Sequence, residues 1–169
     1  MESKGLKNKL TMINPGGVFG DALDKKGGTS IEYVRQFMKG KFPAAPKWGI
    51  LISDVKDVAK AHVACIGNTK VGGRRLIVGK EVKKLIELSQ IMAETMPEYA
   101  KKLPKKELPN FMVKLISLFD SSAKTLIPDL EIVMQTDTTY AEELLGLKFN
   151  PAKGCISETA KSVVRLGLV

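Results

Sequence analysis

His62 and Cys65 stand three residues apart, with Asp54 and Asp57 just upstream, and these side-chain types ligate metals or pair as nucleophile and base. On a helix only His62 and Cys65 share a face, and two ligands fall short of the three or four that zinc takes. Nothing marks an orienting third group or an electropositive pocket for a Cys–His nucleophile. The rest of their stripe is Val, Ala and Ile, so His62 is expected to pack in the core, and Asp54 and Asp57 to be first-turn acids that complement a helix dipole. Cys155 reads as a bystander near a helix start. Met92, Met96, Met112 and Met134 read as core gap-fillers, with the lining of a substrate pocket as the alternative. No catalytic or metal-binding set emerges from spacing alone.

A dinucleotide pyrophosphate would sit on a glycine-rich turn opening a helix. The pairs Gly16-Gly17, Gly27-Gly28 and Gly72-Gly73 lack the G-x-G-x-x-G spacing of a dinucleotide-binding turn and read as turns or caps. Twenty-seven Lys and Arg against eighteen Asp and Glu give a net charge of +9, which attracts anions, whether nucleic acid, acidic lipid or a phosphorylated small molecule. Only Arg35, Arg74, Arg75 and Arg165 offer guanidinium forks, and no aromatics interleave with the lysines, which argues against nucleic acid as a partner. The pairs Lys25-Lys26, Lys83-Lys84, Lys101-Lys102 and Lys105-Lys106 read as solvated surface.

The elements that must position these residues follow from length and periodicity. A chain of 169 residues supports one sizeable core, and 44% hydrophobic with 27% charged residues is a globular composition, against disorder, collagen or a disulfide scaffold. The longest apolar stretch, Phe111 to Phe119, is broken by Lys114 and is about half of the roughly 20 residues a spanning helix needs, so no membrane span is expected. With no apolar signal region at the N-terminus and no disulfide framework from Cys65 and Cys155, the expected compartment is cytoplasmic.

Leu10 to Ile13 reads as a strand stopped by Asn14-Pro15-Gly16-Gly17, and an irregular loop follows to Gly28. Thr29-Ser-Ile-Glu32 spells a capping box for a helix with Ile31, Val34, Phe37 and Met38 on one face, closed by Gly40. Ile50 to Ile52 is a buried strand. A helix starts at Ser53 or Asp54 and carries Val55, Val58, Ala59, His62, Cys65 and Ile66 on one stripe. Arg74 to Val78 is a strand, and Val82, Leu85, Ile86, Ser89 and Met92 line a helix running to about Glu94. Alternation of this kind predicts crossovers onto a parallel sheet. From Pro97 to Thr136 a mostly helical lobe is expected, with Phe111–Phe119 as a buried or lobe-packing helix. Asp137 caps a helix that stops at Gly146, and Ile156, Ala160, Val163 and Val164 stripe a last helix that stops at Gly167. The whole, residues 1–169, is read as a single unit.

The string Leu10-Thr-Met-Ile-Asn-Pro-Gly-Gly-Val-Phe-Gly20 resembles the strand and loop that follow the catalytic helix in extended short-chain dehydrogenases/reductases. More narrowly, the chain is similar to the dihydroflavonol-reductase-like branch of the NAD(P)-dependent epimerase/dehydratase family. Thr29-Ser-Ile-Glu-Tyr33, Ser53-Asp-Val-Lys-Asp-Val-Ala-Lys-Ala-His62, Gly73-Arg-Arg-Leu-Ile77, Leu144-Leu-Gly-Leu-Lys-Phe149 and Glu158-Thr-Ala-Lys-Ser162 agree in order, so the resemblance covers nearly the whole chain.

The resemblance implies an α/β chain forming the C-terminal part of a Rossmann-type parallel sheet with a mostly helical substrate lobe over about 97–136, the N-terminal nucleotide-binding half being absent. It implies NADP as cofactor and a small-molecule carbonyl substrate in the complete enzyme. It places Pro15, Gly16, Gly17, Val18 and Ser30 along the nicotinamide side of the cofactor; without it, these residues read as a strand-ending turn and a helix start. Two family features are missing. There is no glycine-rich phosphate turn, and the family's Tyr-x-x-x-Lys pair is absent, since Tyr33, Tyr99 and Tyr140 are followed four residues later by Phe37, Leu103 and Leu144. The chain alone is therefore expected to be inactive in hydride transfer, with no catalytic residue of its own. A non-catalytic module using its basic surface for an anionic partner is the alternative.

Overall fold

A computed structural model of the chain describes residues 10–118, 124, 127–130, 132 and 134–169. Its first strands are β1 (Met12–Pro15) and β2 (Gly17–Phe19), one run of chain that changes partner at Gly16. β1 pairs in parallel with β5 (Arg75–Val78), matching Met12 to Arg75 and Pro15 to Val78. β2 pairs in parallel with β4 (Gly49–Asp54), matching Gly17 to Ile52 and Phe19 to Asp54. Asn14-Pro15 thus lies within strand and not in a turn: β1 pairs through Pro15, and the expected irregular loop begins only after Phe19.

Helix α1 (Thr29–Met38) follows the loop, then the two-residue strand β3 (Ala45–Pro46), β4 and helix α2 (Val55–Cys65). α1 buries Val34, Phe37 and Met38, as its period predicts, and ends at Gly40 with φ +74°. The capping box does not form. Gly28 is the N-cap, and Glu32 turns along the helix to accept from Arg35 (2.7 Å to each carboxylate oxygen) and from Gln36. Those bonds hold the Glu32 carboxyl down to about 2, and the first N–H groups of α1 keep no side-chain cap.

The alternation continues with one addition. Between β5 and helix α3 (Leu85–Thr95) lies β6 (Glu81–Lys84), antiparallel to β4. Val82 is therefore a strand residue; a four-residue strand whose apolar residue happens to fit a helical period leaves no distinct signal. Further along are β7 (Glu107–Leu108), parallel to β3, and helices α4 (Asn110–Ile116), α5 (Thr139–Leu145) and α6 (Ala152–Arg165). α5 and α6 are followed by Gly146 and Gly167, at φ +64° and +66°, as expected.

One core joins α1, α3 and α6 to β2 and β4 through Phe19, Phe37, Ile52, Leu88, Met92, Cys155 and Ile156, and a second joins α2 and α5 to β5 through Ala61, Leu76, Val78 and Leu145. The result is an α/β architecture with parallel pairing at its centre. In α4 only Val113 is buried, while Phe111 and Leu115 are exposed, so of the two expectations, a buried or a lobe-packing helix, full burial is not met. Phe119, at the end of that expected helix, lies outside the described residues. No helix among the described residues is long and apolar enough to cross a membrane.

Candidate functional site

The seam at Gly16 is a backbone feature. A Cβ built there would lie 2.1 Å from the Leu51 carbonyl oxygen, so β2 meets β4 only because residue 16 has no side chain. The Gly16 N–H donates to Ser53 Oγ (2.9 Å), and that hydroxyl donates to the Val78 carbonyl (2.5 Å), tying β4 to both partners of the run. The close approach expected of this glycine is therefore to a strand.

Beyond β2 the chain turns at Gly20, φ +146°, and is stapled to α6. The Gly20 N–H donates to Thr159 Oγ1 (2.7 Å), which is also 2.9 Å from the Gly20 and Cys155 carbonyls, either of which takes its single proton. The Ala22 N–H donates to Ser162 Oγ (3.0 Å), and Arg165 reaches Asp21 (2.6 Å) and the Ala22 carbonyl (2.9 Å). Thr159 and Ser162 are fully buried. They fall in the resemblance-bearing segment near the C-terminus, yet nothing in their spacing signals a partner more than 130 residues away.

This stapled loop faces the start of α1 across a hollow of about 390 Å³, lined by Gly16, Val18, Gly20, Thr29, Ser30 and Val55 among others. A second hollow of about 510 Å³ shares Gly16, Thr29 and Ser30 and adds Pro15, Gly17, Tyr33, Trp48, Met134 and Thr136. All five residues singled out in the sequence thus border these two adjoining spaces. Pro15 has no N–H to satisfy, the Ser30 hydroxyl has no hydrogen-bond partner among the described residues, and the uncapped first turn of α1 opens at the same place. An N-terminal helix turn with free N–H groups favours an anion.

The other candidates separate from this site. His62 is exposed, its Nδ1 2.8 Å from the Val58 carbonyl, because α2 is rotated from the apolar stripe: its buried residues are Asp57 and Ala61. Asp57 is no mere first-turn acid. It is 2% exposed and accepts from the Asn150 N–H (2.6 Å) and Nδ2 (2.9 Å), fastening α2 to the chain that enters α6. Burial pushes the Asp57 carboxyl up, the Asn150 bond opposes this, and the Asp54 charge adds to it. Asp54 is the N-cap of α2 and accepts from the Lys56 N–H (2.8 Å). Met92 is buried, whereas Met112 and Met134 are 40% exposed. No group of His, Cys, Asp and Glu fit to hold a metal occurs among the described residues.

Cys155, read as a bystander, is a core residue at 1% exposure, and its burial pushes the thiol up to about 12. Burial also raises the Cys65 thiol, which remains partly accessible. At pH 8 a maleimide is expected to label Cys65 slowly and to spare Cys155, both reacting once denaturant is added. Mass spectrometry of the native protein checks it; labelling of Cys155 at the rate of Cys65 would contradict the packing.

No protein-family model matches the sequence. Cinnamoyl-CoA reductase 1 of Petunia hybrida is 25% identical over 166 residues, which cover 98% of this chain and 44% of that protein. The NADPH-dependent methylglyoxal reductase GRE2 of Saccharomyces cerevisiae is 28% identical, over 95% of this chain and 44% of its own. The crystal structure of yeast methylglyoxal/isovaleraldehyde reductase Gre2 complexed with NADPH matches 94% of this chain and 47% of that one, at a TM-score of 0.68 and 26% identity. The chain matches the C-terminal part of reductases that are extended short-chain dehydrogenases/reductases. It spans a little under half the length of the curated relatives it matches. The likeness of the chain to a nucleoside-diphosphate-sugar epimerase from Pseudomonas aeruginosa, TM-score 0.73 at 15% identity, is one of fold alone. The segments that carry the resemblance are those that build the seam, the α2 anchor and the α6 staple.

Proposed function

We propose that the chain supplies the nicotinamide-end loop and much of the substrate pocket of an NADP-dependent reductase of small carbonyl compounds. In this reading residues 1–169 act as one unit. Residues of about 97–136 form the lobe over the substrate, and a separate stretch of polypeptide provides the glycine-rich phosphate turn and the proton-donating Tyr-x-x-x-Lys pair. The observation that carries the proposal is the convergence of Pro15–Val18 with Thr29 and Ser30 across adjoining hollows at the carboxyl ends of parallel strands, where open α/β sheets place their ligands. The name of the yeast relative, an NADPH-dependent reductase, and its crystal structure complexed with NADPH support the choice of cofactor.

NADPH, when bound, supplies the hydride. The chain's own residues then position and exclude. Pro15 and Gly17 present backbone without a bulky polar side chain, so a flat ring can lie against the run. Ser30 offers a hydroxyl, and the uncapped turn of α1 favours a negatively charged part of the ligand. Tyr33 and Trp48, their ring centroids 6.2 Å apart, wall the second hollow with aromatic surface that keeps water from a carbonyl compound. Without a phenol activated by a lysine, the chain alone transfers no hydride.

The test mixes the chain with a polypeptide carrying the phosphate turn and Tyr-x-x-x-Lys helix of a relative, and measures NADPH binding by calorimetry. Binding is expected only in the mixture, and Ser30→Ala should weaken it by about 1 kcal/mol, the net value of one hydrogen bond. A mixture that associates yet binds no NADPH, or whose affinity is indifferent to Ser30→Ala, would refute the assignment.

A further inference from the structure

Five lysines meet in a hollow that the reductase-derived site does not use. Lys39, at the end of α1, and Lys101, Lys102, Lys105 and Lys106 line a concave surface of about 550 Å³ together with Gly40, Phe42, Pro43 and Leu103. No carboxylate lines it. Among the described residues none of these five lysines is in an ion pair, although other lysines are, including Lys56 with Glu158, Lys80 with Glu142 and Lys153 with Glu94. The nearby Glu107 carboxylate is 3.8 Å from the Lys84 ammonium.

The hollow is built. Leu103 and Pro104 point inward and are buried, and the Ser89 hydroxyl donates to the Pro104 carbonyl (2.6 Å), so the flanking lysines are thrown outward on both sides of this anchor. The Ala45 N–H donates to the Lys106 carbonyl (2.9 Å) and β3 pairs with β7, which locks the two loops together. Gly40, at φ +74°, packs its backbone against Lys102. Lys102 in turn places its ammonium 5.5 Å from the centre of the Tyr99 ring. Clustered like charges held by the backbone repel one another and gain by binding a multivalent anion.

We propose that this lysine hollow is a binding site for a small molecule bearing two or more phosphate groups. Compact ammonium groups act as point charges on several phosphoryl oxygens at once, whereas a single planar carboxylate is better matched by an arginine fork, and no arginine lines the hollow. The site is independent of the NADP-reductase reading, since it shares no residue with the two hollows beside Ser30.

The experiment titrates the full chain with inorganic tripolyphosphate in a calorimeter at two salt concentrations. Saturable one-to-one binding that weakens with salt is expected. Lys39→Gln/Lys105→Gln should weaken it by about tenfold or more. Lys25→Gln/Lys26→Gln removes the same charge from another exposed stretch and should weaken it by less than about twofold, the effect of net charge at a distance. Lys101→Gln/Lys106→Gln gives a second reading should the first variant melt early. Absence of saturable binding, or equal losses in the hollow and control variants, would overturn the proposal and leave the lysines as solvated surface.

Discussion

Gly16→Ala is expected to destabilise the fold by about 3 kcal/mol or more, enough to unfold a domain of ordinary stability. The added Cβ would sit 2.1 Å from the Leu51 carbonyl oxygen and 2.7 Å from its Cβ, so backbone must separate from backbone; no side-chain rotation relieves it. Parting β2 from β4 would also strain the Gly16–Ser53–Val78 relay. Gly154→Ala is the matched control. It lies exposed within α6 with nothing within 4 Å of an added Cβ, and there alanine is expected to stabilise by roughly 0.5–1 kcal/mol through helix propensity. Denaturant melts of both variants measure the contrast, and a Gly16→Ala cost below about 1 kcal/mol would show that the seam is not tight.

Asp57→Ala is expected to cost about 2 kcal/mol, because the Asn150 N–H then loses its acceptor, its Nδ2 keeps only the longer bond to Asp54 (3.3 Å), and a buried side chain is truncated. The loss should spread to loop 20–22, whose staples Thr159 and Ser162 stand on the helix that Asn150 precedes. Hydrogen exchange at Gly20 and Ala22 in the variant reads this directly. The same residue sets a pH dependence. The Asp57 carboxyl is held above its ordinary 3.8, so the folded chain binds this proton more tightly than the unfolded one does. Its ionisation therefore lowers stability as pH rises from about 3.8 through the raised folded value, and adds nothing further above it. Asp57→Asn lacks that proton, so the stability of wild type relative to Asp57→Asn should fall across this window. A difference that rises with pH there would mean that the Asn150 bonds outweigh burial.

Local rules made some elements legible. Gly40, Gly146 and Gly167 follow helices at positive φ, where a residue without Cβ is least strained, and the periods of α1 and α6 bury Val34, Phe37, Ile156, Ala160 and Val163 as their spacing predicts. The convergence of Pro15, Gly16, Gly17, Val18 and Ser30 was legible only through family resemblance, since spacing alone reads them as a turn and a helix start.

Local rules failed where a residue had two partners to choose between. Glu32 fits a capping box, but Arg35 and Gln36 compete for its carboxylate along the helix and win. Apolar periodicity assigns α2 the wrong face because it assumes that charge points to water, whereas Asp57 faces inward, where Asn150 supplies its hydrogen bonds.

By itself, then, the sequence determined the alternation of strands and helices and the places where helices end, because these depend on neighbours within a few residues. It also excluded, by the spacing of its glycines and tyrosines, a phosphate turn and a Tyr-x-x-x-Lys pair within this chain. Only the tertiary structure decided that β6 adds antiparallel to β4 and that His62 faces solvent. It alone decided that Thr159 holds Gly20, and that five lysines from two loops share one hollow. Each of these follows from pairing or burial between residues far apart in the chain, and the energy of a long-range hydrogen bond or a packed face leaves no periodic trace in the residues that make it.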